Sequence, residues 1–488
     1  MTPVPLQTRP AKSLRANVRA GLIWSAVQSW GGRLAVLGLF MVVARMLSPE
    51  DIGLFAMVSA MMYLLAMLTD QGLVEAVVQR AEVTQEQLNT VFFFNMGLAM
   101  LMLTGVWIAA PWLAAWFKAP QGADLLRVLA LTLPLSAASL GQSAMRKRGF
   151  EYRWLAFVNL AATLVGCVLA LALILAGAGV WGLVAQWVIG TSLLTAMFWT
   201  RPAWRLSRRT DFAGTVPLFK YGLNRISAAI LDFLNTRYIE FFLVATLGPA
   251  VLAIYTVGVR IQQALMQALG STAYELAHNG FSRLANDRPA LLGAYYKSLT
   301  ATTALMVPMF CLIAAVAAPL TSVLFGARWL ASVDVTRVVC VLGAIQLLQL
   351  YNGTLLNAIG RPSLNLHFTI AKLVLTIGAF EFVRGDGLET LLSAYFVSQL
   401  AIMPATFYAV RRLVGVSLRE VCRQLWPFVA GSVLMSAAAV LVLKTMGPRS
   451  PLLELIAATA AGALVYAGFI GLVAPGTFRR AIAVIKAK

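Results

Sequence analysis

Arg33, Arg225, Arg237, Arg260 and Lys372 interrupt stretches that otherwise run apolar for about 20 residues at a time, the length that crosses a bilayer. Asp70, Asp232, Glu240 and Glu275 do the same with the opposite sign. An ionised group at the bilayer centre costs roughly 2.5–3.5 kcal/mol on the mildest insertion scale, so such groups face water or each other. Arginine holds an oxyanion bidentately and stays charged when partly desolvated, so the chemistry open to these cations is capture of a phosphate-type anion. The acids, with Asp232 the most central, could take up a proton or Na⁺.

Spacing groups these residues. At about 100° per residue, Arg225, Asp232 and Thr236 fall within about 40° of one another, with Glu240 beside them. Arg237 lies off that stripe and nearer the outer end, and reads as a packing residue. Thr256, Arg260, Gln263, Gln267, Ser271 and Tyr274 share one face of the following helix. Arg33 shares a face with Ser29 and is the leading anion-binding candidate; the alternative is a packing pair with Asp70 or Asp232. Arg225 and Arg260 stand between the same two readings, with Asp232 or Glu240 as partners. Lys372 has Asn365, Thr369 and Thr376 on its face. Gln263, Gln267, Gln346, Gln349 and Asn357 suit a hydroxyl-rich solute, or else bond neighbouring helices. His278 and His367, near helix ends, read as structural.

These residues need a membrane scaffold, and the composition supplies one. The 488 residues are 60% hydrophobic and 12% charged, with a mean hydropathy of +0.80. Soluble domains carry about 25% charged residues, so the fold class expected is an all-α polytopic membrane protein. Fourteen spans are read, at 20–45, 53–75, 89–112, 125–145, 154–177, 179–200 and 217–246 in the first half. The second half gives 250–275, 297–324, 332–358, 362–383, 387–410, 424–445 and 451–474. The seventh and eighth form a hairpin broken at Gly248-Pro249. Pro134, Pro308, Pro319 and Pro404 fall within spans, as membrane helices tolerate.

The net charge of +20 would suit nucleic acid, but the basic residues cluster at span ends and no soluble basic domain exists to bind one. With residues 1–19 as a cytoplasmic tail and the spans alternating, roughly three basic residues fall inside for each one outside, which places both termini in the cytoplasm. Cys167, Cys311, Cys340 and Cys422 are scattered, without metal-ligand or disulfide spacing. No metal, cofactor or catalytic residue is expected. Trp24, Trp107, Trp112, Trp116, Trp181 and Trp199 read as an interfacial belt.

The chain also repeats itself. LSPEDIGLFAMVSAM from Leu47 aligns, 200 residues on, with LGPAVLAIYTVGVRI from Leu247, so that Pro49 matches Pro249 and Phe55 matches Tyr255. Each motif joins the first two spans of a six-span unit, which predicts parallel repeats over 20–200 and 217–415. The segment 201–216 reads as a basic cytoplasmic linker, and 416–488 as two additional helices and a cytoplasmic tail.

These motifs, with LNTRYIEFFLVATLGPAVLAIYTVGVRI and APLTSVLFGARWLASVDVTRVVCVLGAIQLLQLYNGTLLNAIGRPSL, resemble the Wzx-like polysaccharide and oligosaccharide flippases of the multidrug/oligosaccharidyl-lipid/polysaccharide exporter superfamily. The resemblance covers most of residues 20–415. It implies two six-helix lobes in the bacterial inner membrane that move undecaprenyl-diphosphate-linked oligosaccharide from the cytoplasmic to the periplasmic leaflet for exopolysaccharide, capsule or lipopolysaccharide. Membrane lipids, H⁺ or Na⁺, and a functional link to a polysaccharide polymerase are the partners that go with it. Where the family carries an acid after Asn, this chain has Asn235-Thr236-Arg237. The alternative, a drug or metabolite cation antiporter of the same superfamily, calls for an acidic path, and the intramembrane cations oppose it. A membrane polymerase or ligase would need a large periplasmic loop, and none is present.

Overall fold

Among the described residues the apolar runs are helical and no extended strand forms, since inside a bilayer a helix satisfies its own backbone. The computed structural model describes residues 11–70, 77–78, 80, 83–117, 119–267, 271–447 and 449–474. Two units divide the chain, Met1–Ala253 and Ile254–Lys488. Among the described residues 12 helices are long and apolar enough to cross a membrane, and each coincides with one expected span. The other two expected spans, the hairpin, are also helical.

The first unit contains α1 (Ala11–Met46), α2 (Pro49–Asp70), α3 (Gln85–Trp116), α4 (Gly122–Ala130), α5 (Thr132–Arg148), α6 (Tyr152–Leu175), α7 (Trp181–Thr200) and α8 (Phe212–Leu247). Helix α6 packs along α1 and α7, and α3 packs along α4 and α5. α8, expected to open the second repeat, packs against α2 and α3. A Thr84–Gln87 capping box starts α3 four residues before the apolar run from which its span was read.

The second unit begins within α9 (Pro249–Leu265), whose first five residues belong to the first unit. It holds α10 (Ser271–Arg283), α11 (Arg288–Ala315), α12 (Ala317–Leu324), α13 (Val333–Ala358), α14 (Pro362–Phe382), α15 (Leu388–Ala401), α16 (Met403–Val414), α17 (Leu418–Thr445) and α18 (Pro451–Val473). α11 packs along α13 and α17, and α17 along α18. The last two helices are thereby fastened to α11: the Tyr466 hydroxyl donates to the Ala304 carbonyl at 2.8 Å and Ser436 Oγ to that of Cys311 at 3.1 Å.

Proline divides several spans. Pro134, Pro319 and Pro404 each lie in the first turn of a new helix, where the missing N–H has no partner to lose. Pro308 alone of the four lies deep within one. The hairpin breaks where expected: Gly248, at φ 87°, ends α8 in a backbone conformation that only glycine adopts freely, and Pro249 starts α9.

The linker after α7 is held by buried polar side chains. Asn89 Nδ2 donates to Ser207 Oγ at 2.9 Å and to the Arg209 carbonyl at 2.8 Å. Gln142 Nε2 donates to the Trp204 carbonyl at 3.1 Å, and its Oε1 accepts from the Ala203 N–H at 2.7 Å. Arg146, buried and paired with Glu151, donates to the Arg201 carbonyl, and its guanidinium lies 5.2 Å from the Trp154 ring. Arg201 approaches the same ring at 5.4 Å. The segment is a fixed strap that presents Arg201, Arg205, Arg208 and Arg209 outward.

Candidate functional site

The charged candidates of the first unit sit on α1 and α8. Arg33, on α1, is half-buried. On α8, Asp232 and Thr236 are exposed on one face, and the Thr236 hydroxyl donates to the Asp232 carbonyl. Glu240 is not a member of that open face. It is buried, and its Oε1 accepts from Arg237 Nη1 at 2.6 Å. Arg237 in turn places its Cζ 5.5 Å from the centre of the Tyr63 ring on α2. The pair is separated by three residues, so a long guanidinium arm bridges a 60° offset on the helix surface. Arg237, read from sequence as a packing residue, thus joins a group with an acid and an aromatic ring. The side chains of Asp70, Arg225 and Glu275 lie outside the described residues.

Tyr63 belongs to an aromatic cluster. Its ring lies 5.1 Å from that of Trp187 on α7, tilted by 47°. Phe55, one of the repeat-motif residues, meets Trp187 edge-on at 6.5 Å. Nothing in the periodicity of α2 or α7 points to this cluster, because it forms only when the two helices meet.

In the second unit, Arg260 and Gln263 are half-buried on α9, and Gln267 is exposed where the helix widens into a π turn at residues 266–267. Lys372 on α14 and Gln346 on α13 are half-buried. A polar seam joins α13, α14 and α15 beside Lys372. Thr376 donates to the Lys372 carbonyl at 2.9 Å and lies 3.3 Å from Ser398 Oγ. Gln399 Nε2 reaches Thr376 at 3.4 Å, and Gln349 Nε2 donates to the Gln399 carbonyl at 3.0 Å. Gln349 therefore bonds a neighbouring helix, the alternative reading given it from sequence. A second buried chain runs from the Tyr295 hydroxyl to Asn352 Oδ1 at 2.7 Å, and from Asn352 Nδ2 to Thr406 at 3.4 Å. Ser398, Gln399 and Thr406 are polar residues inside apolar runs, the one sequence signal that could have located this seam.

Among the described residues no His, Cys, Asp or Glu group is arranged to hold a metal ion. What these helices do offer is cationic and hydroxyl-bonding side chains within membrane spans, with an aromatic cluster beside one of the cations.

Comparison with known proteins agrees with this architecture. A family model described as "Polysaccharide biosynthesis protein" matches residues 42–334. The succinoglycan biosynthesis transport protein ExoT of Rhizobium meliloti is 26% identical over 503 aligned positions, which take in 100% of this chain and 98% of that one. The lipopolysaccharide biosynthesis protein WzxC of Escherichia coli is 22% identical, over 85% of this chain and 86% of that protein. Among solved structures, the lipid II flippase MurJ in an inward closed conformation superposes with a TM-score of 0.71 at 13% identity, over 94% of this chain and 100% of that one. An inward-facing multidrug resistance transporter of the MATE family gives 0.61 at 17% identity, over 78% of this chain and 94% of that one.

Proposed function

Because this chain belongs to the polysaccharide biosynthesis protein family, we propose that it is a membrane flippase for saccharides carried on a lipid diphosphate. Its cargo is an undecaprenyl-diphosphate-linked oligosaccharide, moved from the cytoplasmic to the periplasmic leaflet of the bacterial inner membrane for exopolysaccharide, capsule or lipopolysaccharide. The observation that carries this reading is end-to-end similarity to a relative named as a transport protein, over 100% of this chain and 98% of that one. The superposition on a lipid II flippase supports the fold.

The chemistry is consistent with the cargo. A lipid diphosphate carries about two negative charges, and guanidinium groups meet it in bidentate fashion. Arg33, Arg225, Arg260 and Lys372 are the cations assigned to it, and Gln263, Gln267 and Gln346 the donors and acceptors for sugar hydroxyls. Asp70, Asp232 and Glu240 are the carboxylates available for H⁺ or Na⁺ coupling. An inside-negative potential favours outward movement of negative charge by about 2.3 kcal/mol per charge per 100 mV. Both termini stand in the cytoplasm in this scheme.

Export of surface polysaccharide by a strain lacking its own flippase tests the reading. Wild type is expected to restore export, and Arg33→Ala and Arg260→Ala to lose it at unchanged abundance in the membrane. Wild-type export by both variants would remove the assignment of these arginines.

A further inference from the structure

We propose that Tyr63, Trp187 and Arg237 form a saccharide-stacking subsite that takes a pyranose ring of the cargo. This deepens the flippase reading and rests on it.

The three residues are brought together by α2, α7 and α8, with the ring and guanidinium geometry given above. Tyr63 and Arg237 stand deeper than an interfacial belt, while Trp187 lies six residues, about 9 Å, from the start of α7. Tyr63 lies 14 residues from the start of α2 and seven from its end, about 21 Å and about 10 Å along the axis. Arg237 stands 10 residues, about 15 Å, from the end of α8. A belt places aromatic rings at the ends of spans. Tyr63 is 52% exposed and the Arg237 side chain 32% exposed over the same ring, so a solute can reach both.

An aromatic ring presents a negative face, and the axial C–H bonds of a pyranose present a weakly positive one. The two rings, in contact at 5.1 Å and tilted by 47°, make a platform for such a face. Arg237, held by the buried Glu240, supplies N–H donors at its edge for hydroxyl or carboxylate oxygens. The Tyr63 hydroxyl supplies one more group of either sense. An apolar platform with a few fixed polar groups is how small-molecule sites are built, and stacking tolerates variation in hydroxyl configuration because it reads the ring face.

Binding to purified protein in nanodiscs tests this with two probes, farnesyl diphosphate and farnesyl diphosphate linked to a β-1,4-glucosyl-glucose. Wild type is expected to bind the sugar-bearing probe about tenfold more tightly, the size of one good aromatic contact. In Tyr63→Leu and Trp187→Leu that ratio is expected to fall by about threefold or more, and in Tyr63→Phe to persist. A ratio unchanged in both leucine variants, or lost equally in Tyr63→Phe, would overturn the stacking subsite while leaving the flippase reading standing. Failure of wild type to bind either probe would overturn both.

Discussion

The carbonyl oxygen of Pro249 occupies the place a side chain on Gly53 would need: a Cβ there would lie 1.8 Å from it. Gly53 stands four residues after Pro49 in the first repeat motif, and Pro249 is the matching proline of the second. The first turns of α2 and α9 therefore meet backbone to backbone. Ile52 and Leu252, at matching positions of the two motifs, are both buried.

Gly53→Ala should destabilise the protein by about 3 kcal/mol or more, because backbone atoms cannot yield as a flexible side chain would. Gly97→Ala on α3, where a Cβ meets nothing within 4 Å, serves as the control and should be neutral or slightly stabilising. Thermal unfolding in detergent checks both, and equal midpoints for the two variants would refute the close approach.

The Arg237–Glu240 pair should respond asymmetrically. Arg237→Ala leaves a buried carboxylate without its guanidinium and is expected to cost about 1–3 kcal/mol, less than a fully buried pair because Arg237 is partly solvated. Glu240→Gln leaves a cation that keeps water and the Tyr63 ring, and should cost less. Unfolding midpoints in the reverse order would contradict the burial assigned to Glu240.

The strap between α7 and α8 should resist trypsin despite its arginines, because Asn89 and Gln142 fix its backbone. Asn89→Ala combined with Gln142→Ala is expected to speed cleavage within 201–211 by about tenfold or more at unchanged helix content, since a protease needs a locally opened chain. Mass analysis of the fragments reads the site. Equal cleavage rates would show that the side-chain bonds do not hold the segment.

Membrane orientation is open to cysteine labelling in a background lacking the four native cysteines. Arg205→Cys is expected to react only from the cytoplasmic side, and Arg384→Cys, between α14 and α15, only from outside. Labelling of both from one side would break the alternation of spans.

Much of this was legible in the sequence, and the reasons differ by element. Spans show because about 20 apolar residues in a row have no other stable home. The Gly248-Pro249 break shows because both residues punctuate helices. The group around Arg237 did not, for two reasons. A helical wheel separates residue 237 from 240 by 60°, which a guanidinium arm crosses, and Tyr63 and Trp187 reach it only through tertiary packing. The strap was read from its arginines as a charged linker, whereas its order comes from Asn89 and Gln142, amides placed on distant helices. Arg33, Lys372 and Arg260 could be singled out as charges within spans, but their separation along the chain gives no geometry for a shared anion.

The most direct test is transbilayer movement itself. In proteoliposomes with one protein per vesicle, a fluorescent lipid-diphosphate disaccharide in the inner leaflet should become accessible to an external glycosidase when the wild-type chain is present. That accessibility should fall at least about tenfold with Arg33→Ala, the loss of roughly 1.4 kcal/mol of charged contact. Accessibility no greater than in protein-free vesicles, under an inside-negative potential and with H⁺ or Na⁺ supplied, would contradict a lipid-linked saccharide flippase.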